Sequence, residues 1–338
     1  MCTFASLVLA SAAEIVQFTA KVVGILELRK KFSAKMVHRP YFCAKSFDSM
    51  FNTVLLFGNA YQKAGIDNIA HLIDVMLTRC ERVAVEDGFY RYLCQHVKDR
   101  PIPKVDTFDC ASDLKADLAV SLGGDGTLLG TVMWVADKGI PVLGINTGHL
   151  GYLTACNMAE AAQTFDEVMM GVFQMERRTM LTVECEGVNI EHPFALNDIA
   201  ILRHDTSSMI EMETTLQGLP LTTYKADGLV VCTPTGSTAY NLSAGGPILE
   251  PTTRCLVISP LTPHSLTMRP LVVPDESVLT IVTRSRSDYY QVSVDGEEFT
   301  CPVGSQVTIR RAHYDALVIQ RSDHNFANTL RRKLHWGS

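Results

Sequence analysis

The sequence predicts an α/β domain built on an open parallel sheet, followed by an all-β domain. Three observations indicate this architecture. Strand-like and helix-like segments alternate between residues 50 and 155, and short segments of period-two hydrophobicity dominate from about residue 173. Between them, the glycine-rich turn GGDGT at 123–127 joins a buried strand to a helix. At 338 residues, the chain is long enough for two domains.

The alternating part predicts its elements in a simple order. Apolar runs indicate strands, and apolar residues spaced three and four apart indicate helices. The expected strands are 53–57, 82–85, 117–122 and 141–145, and the expected helices are 66–77 and 127–137. The β-rich part predicts strands at 182–185, 194–202, 209–216, 229–232, 255–258, 278–282, 291–294, 307–309 and 317–319, with an amphipathic helix at Phe326–Leu334.

We therefore divide the chain into four parts. Residues 1–49 have no strand–turn–helix rhythm and are predicted to be a disordered extension or a stretch outside the native core, with a targeting or anchoring segment as the alternative. Residues 50–155 form the α/β domain and residues 156–322 the β-rich, substrate-binding domain. Residues 323–338 are predicted to form a helix that packs back on the first domain.

The composition limits the classes of function. The chain is 47% hydrophobic and 20% charged, with a net charge of −6 and no basic stripe, so no nucleic-acid partner is expected. No apolar run approaches the roughly 20 residues of a spanning helix, so no membrane partner is expected. The ten cysteines are scattered without metal-ligand spacing, which predicts free thiols, a cytoplasmic location and no metal ligands among the side chains.

The turn at 123–127 places one acidic side chain, Asp125, among three glycines. A Walker A loop would need a lysine there, and Leu129 stands where a dinucleotide fingerprint needs its third glycine. A helix-capping role would explain the aspartate but not the three glycines around it. Backbone N–H groups at a helix start bind anionic oxygens, and a carboxylate accepts a proton from a hydroxyl. The residues thus predict phosphoryl transfer from a nucleotide to an alcohol.

The GGDGT turn resembles a signature shared by NAD kinases, by diacylglycerol and sphingosine kinases and, in variant form, by 6-phosphofructokinases. The segments that follow it are similar, in order, to the further motifs of NAD kinases. They are GINTGHLGYLT at 144–154, ALNDI at 195–199, ADGLVVCTPTGSTAY at 226–240, PHSL and RPLVVP within 263–274, and VDG at 294–296. On these motifs the chain, from about residue 50 onward, is identified as a member of the NAD kinase family, bacterial type.

The resemblance implies the fold of that family and its reaction, in which ATP or another phosphoryl donor, with a divalent cation such as Mg²⁺, phosphorylates the 2′-hydroxyl of the adenosine ribose of NAD to give NADP. It implies that Asp125 accepts the proton and that Gly126 lies against the substrate. It assigns adenine and ribose to Asn197 and Asp198, and the nicotinamide end to Asp227. The other implied substrate contacts are Thr238, Ala239, Tyr240, Asn241, Leu242, Ser243 and Thr262. A homodimer or homotetramer is also implied.

Alternatives remain at this stage. Asp198 stands where the family commonly has the longer glutamate, and a simple turn would also explain the Asn–Asp pair. The hydroxyl-rich segment 233–243 would also suit a solvated loop. A lipid kinase of the diacylglycerol type shares GGDGT but not TPTGSTAY, and a non-catalytic NAD-binding regulator on the same fold would be expected to lack Asp125.

Overall fold

A computed structural model of the chain describes residues 50–59, 66–97, 100–110, 115–148, 151–204 and 209–336. The predicted extension at residues 1–49 lies outside the described residues, as does His149 in the GINTGHLGYLT segment. Within the described parts of the chain, no helix is long and apolar enough to cross a membrane.

The described elements are six α-helices, three short 3₁₀ helices (Ala136–Lys138, Met158–Glu160 and Thr235–Thr238) and eighteen strands. The helices are α1 (Ile66–Arg79), α2 (Asp87–His96), α3 (Asp125–Val135), α4 (Ala161–Met169), α5 (Tyr240–Ser243) and α6 (Phe326–Leu334). The strands of the first half are β1 (Thr53–Gly58), β2 (Arg82–Glu86), β3 (Asp106–Phe108), β4 (Leu118–Gly123), β5 (Val142–Asn146) and β6 (Cys156–Asn157).

The strands of the second half follow without long helices between them. They are β7 (Phe173–Cys185), β8 (Phe194–Ala195), β9 (Asp198–Arg203), β10 (Ile210–Leu216), β11 (Leu219–Ala226), β12 (Gly228–Cys232), β13 (Cys255–Leu261), β14 (Leu271–Pro274), β15 (Leu279–Arg284), β16 (Tyr289–Val294), β17 (Glu297–Pro302) and β18 (Gln306–Arg321). The expected fold, an α/β part with a parallel sheet and an all-β part, is confirmed.

The α/β part is a parallel sheet in the order β3-β2-β1-β4-β5. The interior strand β4 is buried at every residue because α-helical layers cover both faces, so its sequence is a nearly continuous apolar run. Leu56, Ile73 and Phe165 belong to the core on one face, and Leu128 and Val132 to the core on the other. The carboxyl ends of β4 and β5 therefore open on the turn that contains Asp125.

The long strand β18 joins the two halves in one sheet. Its first residues pair with β15 and its later residues pair in parallel with β5, while β7 runs antiparallel along it. The register with β7 shifts between Arg311 and Asp315, a bulge that lets one strand serve both halves. The predicted boundary between residues 155 and 156 remains a prediction, although the strands of the two halves are hydrogen-bonded through β18.

A second sheet, in the order β14-β13-β12-β9-β16-β17, completes the β-rich part. Side chains from both sheets, such as Leu181, Ile201, Val231 and Ile281, form the apolar core between them. This packing places the start of β9 and the ends of β12 and β16 at one edge. Asn197 and Asp198, the hydroxyl-rich segment 233–243 and the turn at Asp295 and Gly296 are found there.

Candidate active site

The turn between β4 and α3 exposes backbone beside one carboxylate. Gly124 is the N-cap of α3 in an extended conformation, and Asp125 is the first residue of the helix. Gly124 and Gly126 are both exposed, and a Cβ at either would meet nothing within 4 Å. Since the first N–H groups of a helix have no partner inside it, this surface suits an anionic group.

Asp125 is not the cap of its helix. Its Oδ2 accepts the backbone N–H of Tyr152 at 2.8 Å, and its Oδ1 accepts that of Leu153 at 3.2 Å. A Cβ at Gly151 would lie 1.8 Å from Asp125 Oδ1, so the close approach of this loop requires glycine. The GINTGHLGYLT segment thus orients the carboxylate, a role that the sequence alone did not reveal.

A second carboxylate, Asp295, holds the segment that contains Asn197 and Asp198. It accepts the backbone N–H groups of Leu196, Asn197 and Asp198 at 2.7, 2.9 and 2.9 Å. Asp295 and Gly296 form the two-residue turn between β16 and β17, with φ values of +48° and +92°. Burial raises the pKa of the Asp295 carboxyl, and the three N–H donors oppose that shift.

The carboxyl of Asp198 is almost completely buried, with 6% of the residue exposed. Burial, and next the nearby charge of Asp295, raise its pKa to about 7, while the backbone N–H of Tyr240 lowers it. Close to neutral pH this group therefore exists in both forms, and it can accept or donate a hydrogen bond.

The hydroxyl-rich segment 233–243 is built into the protein rather than solvated. Thr233 Oγ1 donates to the Leu196 carbonyl at 2.5 Å, and Ser237 Oγ donates to the Pro234 carbonyl at 2.6 Å. A Cβ at Gly236 would lie 2.2 Å from the Asn197 carbonyl oxygen, so the two segments touch backbone to backbone. The simple loop interpretation is therefore wrong.

The residues predicted to line the dinucleotide divide into inward and outward groups. Asn241 is fully buried, donating its amide to the Ser237 and Pro247 carbonyls and accepting the Ser259 hydroxyl at 2.7 Å. It holds the segment in shape. The outward group is partly or well exposed and comprises Thr238, Ala239, Tyr240, Leu242 and Ser243.

Asp227 and Thr262 lie side by side. The N–H of Asp227 donates to the carbonyl of Leu261, the residue before Thr262, at 2.9 Å. Thr262 is exposed with φ +46°, a left-handed conformation that costs energy for a β-branched residue and that clusters at functional sites. Arg203 forms an ion pair with Asp227 at 2.9 Å, a partner that sequence reasoning missed.

Tyr240 is close enough to both Asp198 and Asp227 to interact with their charges. Partial burial raises the pKa of its hydroxyl, and the charges of Asp198 and Asp227 raise it further. Leu153 and Leu196, whose N–H groups hold Asp125 and Asp295, pack in the same apolar core beside Leu128. The Asp125 turn and the Asn197–Asp198 segment are therefore supported by the same apolar core.

Two basic residues near the predicted site residues are paired with glutamates. Lys225, two residues before Asp227, pairs with Glu211 at 2.7 Å. Arg178 on β7 is a buried guanidinium that sequence analysis missed altogether. It donates to Thr235 Oγ1 at 3.3 Å and pairs with Glu176, so a charged side chain supports the hydroxyl-rich segment from inside.

A cavity of about 440 Å³ lies elsewhere, lined by the end of β7 and the following loop together with Arg310 and His313. None of its described lining residues is a predicted site residue. The predicted residues differ in exposure: Asp198 and Asn241 are buried, whereas Gly126, Tyr240, Ser243 and Thr262 are exposed.

The side chains offer few metal ligands at this surface. Among the described residues, no three His, Cys, Asp or Glu side chains are grouped so that they could hold a metal ion together. Asp125 is the acidic group beside the exposed glycines, and each of its oxygens retains capacity beyond the one N–H it accepts. This donor set fits a Mg²⁺ ion whose other ligands are phosphates and water.

Family models match both halves of the chain. The model described as "ATP-NAD kinase N-terminal domain" matches residues 54–173, and "ATP-NAD kinase C-terminal domain" matches residues 196–321. An NAD kinase of Bacteroides fragilis is 42% identical over 284 residues, covering 84% of this chain and 97% of that protein. An NAD kinase of Flavobacterium johnsoniae is 35% identical over 287 residues, covering 84% and 98%.

Two solved structures share the fold. A yeast NADH kinase complexed with NADH has a TM-score of 0.76 at 24% identity, covering 87% of this chain and 93% of that chain. An NAD kinase from Archaeoglobus fulgidus in complex with ATP has a TM-score of 0.62 at 24% identity, covering 82% and 96%.

Proposed function

The chain belongs to the ATP-NAD kinase family, and we propose that it transfers the terminal phosphoryl group of ATP to the 2′-hydroxyl of the adenosine ribose of NAD, giving NADP. The relatives that carry this proposal are curated as NAD kinases and are matched over nearly their whole length. A lipid kinase is not favoured, since both family models describe NAD kinase domains.

The single observation that carries the mechanism is the setting of Asp125. Its carboxylate is oriented by two backbone N–H groups and lies between two exposed glycines. A base fixed in orientation, beside backbone that phosphates can approach, is what transfer to a hydroxyl requires.

In the proposed reaction Asp125 accepts the proton of the 2′-hydroxyl as the ribose oxygen bonds to the γ-phosphorus. The bond between that phosphorus and the bridging oxygen breaks, and ADP leaves with the electron pair. A positioned base contributes roughly 10²–10⁴-fold to the rate, or about 3–5 kcal/mol of barrier. The backbone of the exposed residues Gly124 and Gly126 is proposed to contact the phosphates.

A divalent cation carried with ATP is part of the proposal. Mg²⁺ offsets the crowded negative charge of the phosphoryl groups, and Asp125 is the side chain that would contact it.

The dinucleotide is proposed to lie along the surface from Asp198 to Asp227. Asn197 offers an amide to the adenine edge, and Asp198 exchanges hydrogen bonds with ribose hydroxyls in either protonation state. Asp227 is proposed to lie at the nicotinamide end, and Thr262, which follows the hydrogen-bond partner of Asp227 in the chain, is proposed as a further substrate contact. The outward residues 238–240, 242 and 243 line the path between them, and Asn241 supports it from below.

Two further properties belong to the proposal. We propose a cytoplasmic location, which the eight free cysteines of the described residues support. We also propose a homodimer or homotetramer, on the ground of membership of the ATP-NAD kinase family.

The experiment that tests the function is NADP formation by the purified chain with NAD, ATP and Mg²⁺. We expect Asp125→Asn to lower kcat by about a hundredfold or more, because an amide accepts no proton, while the melting temperature changes little.

Asp137→Asn is the matched control, since Asp137 lies just beyond the other end of α3 and pairs with Lys138 at the surface. It is expected to leave kcat unchanged. A parent chain that binds NAD but forms no NADP with ATP or polyphosphate would overturn the proposal in favour of a non-catalytic regulator.

A further inference from the structure

The C-terminal helix α6 directs one of its three basic residues toward the protein. Asn325 caps the helix, and Leu330 is buried with 8% exposed. Lys333 lies three residues after Leu330, on the same side of the helix, and its ammonium stands 5.9 Å from the centroid of the Tyr152 ring. Arg331 and Arg332, its neighbours, are exposed.

Tyr152 is the residue whose backbone N–H holds Asp125. Its N–H donates to Asp125 Oδ2 at 2.8 Å, and its hydroxyl has a pKa raised first by burial and then by the Asp125 charge. Tyr152 therefore contacts the Asp125 carboxylate through its backbone N–H and the Lys333 ammonium through its ring. Gln320 at the end of β18 donates to the Leu153 carbonyl at 3.3 Å, which ties the chain leading to α6 to this same loop.

The charge of Lys333 remains available. Within the described parts of the chain, no carboxylate forms an ion pair with Lys333, whereas Lys138 and Lys225 are both paired. An aromatic face holds an ammonium in place without neutralising it. Lysine is a compact, flexible cation that binds phosphate as a point charge.

We propose that Lys333 binds the phosphates of the phosphoryl donor at the Asp125 turn, held over that turn by the Tyr152 ring. The inference rests on the proposed function for the identity of the donor. It assigns a substrate contact to a helix that lies beyond residue 321, where the match to the C-terminal family model ends. The alternative is that Lys333 only packs α6 against the loop.

The test compares Lys333→Met with Arg331→Met in the full chain. Both remove one positive charge from the last turns of the same helix, so helix-dipole effects are matched. We expect Lys333→Met to raise the Kd for ATP, measured by direct titration, and the KM for ATP about tenfold or more. The KM for NAD and the melting temperature should change little, and Lys333→Arg should restore much of the loss. Arg331→Met should behave as the parent.

Two results would overturn the proposal. One is an ATP Kd for Lys333→Met equal to that of Arg331→Met. The other is a parallel change of both KM values and the melting temperature, which indicates packing alone. The ATP titration distinguishes a failure of this proposal from a failure of the proposed function, because it measures ATP binding even in a chain that forms no NADP.

Discussion

Asp125 and Asp295 are both held by backbone N–H groups, but the two carboxylates are placed differently. Asp125 accepts two N–H groups from the loop after β5 and stands between exposed glycines. Asp295 accepts three from consecutive residues of another segment, and burial raises its pKa. The same interaction thus fixes a base at a surface in one place and fastens two strands together in the other.

The difference shows that the role of a carboxylate depends on how much of its hydrogen-bonding capacity is left after it has bound the backbone N–H groups. At Asp295 the three N–H groups use most of the hydrogen-bonding capacity of the carboxylate, so replacing this residue should lower the stability of the fold. At Asp125 the bonds set an orientation and leave a face of the group open. This distinction predicts a loss of stability when Asp295 is replaced and a loss of activity when the orientation of Asp125 is disturbed.

Replacing Asp295 with alanine should destabilise the protein by roughly 3 kcal/mol or more, because three N–H groups lose their acceptor. Urea unfolding of Asp295→Ala measures this. Asp288→Ala, an exposed aspartate just before the same pair of strands, is the control and should be near neutral. If Asp295→Ala does not fold, Asp295→Asn, which keeps one acceptor oxygen, should show an intermediate loss. A stability like that of the control would contradict the anchoring role.

Replacing Gly151 with alanine should lower activity about a hundredfold. The new Cβ would lie 1.8 Å from Asp125 Oδ1, so the carboxylate has to move from its orientation. Gly148→Ala is the control in the same loop, since its Cβ would approach only Asn146 Oδ1, at an ordinary 3.9 Å. Steady-state kinetics should show the loss in kcat. Equal kcat values for the two variants would show that the orientation of Asp125 does not matter.

Replacing Asp198 with asparagine should change the pH dependence of stability. The folded-state pKa of about 7 lies above the ordinary 3.8, so the folded protein holds this proton more tightly than the unfolded chain. The free energy of unfolding of the parent therefore falls as pH rises from about 4 to about 7, by at most roughly 1.4 kcal/mol per pH unit for this group.

Asp198→Asn removes this contribution. Its melting temperature should be close to that of the parent near pH 4 and higher than that of the parent at pH 8. Thermal unfolding across this range measures the difference, with the surface variant Asp137→Asn as the reference. A difference between Asp198→Asn and the parent that stays constant from pH 4 to pH 8 would show that Asp198 is not a buried acid of raised pKa.

Much of the fold was predictable because local pattern and packing agree. The buried strands β1, β2, β4 and β5 and the helix α6 lie within one or two residues of their predicted bounds. Helix α2 (DGFYRYLCQH) was missed, although its buried residues Phe89 and Leu93 are four apart on one face. The single strand β18 was predicted as two short pieces because polar residues around its bulge interrupt the pattern.

The site was predictable in its residues but not in its contacts. The motifs identified Asp125, Asn197 and Asp227 as candidates, whereas the donors to Asp125 are 27–28 residues distant in sequence and those to Asp295 are 97–99 residues distant. Contacts of that range arise from sheet pairing, which no local spacing reveals. The same holds for the raised pKa of Asp198, which depends on burial and on Asp295.

The position of β18 in the chain also affects how the protein is made. This strand pairs with β5, β7 and β15, and β5 is synthesised long before it. During synthesis, the part of the β5 edge at Val142 and Leu143 has no strand beside it until β18 emerges, whereas Ile145 and Asn146 can already pair with β6. Because pairings so distant in sequence close slowly, this short edge stays exposed for longer than one paired with a neighbouring strand.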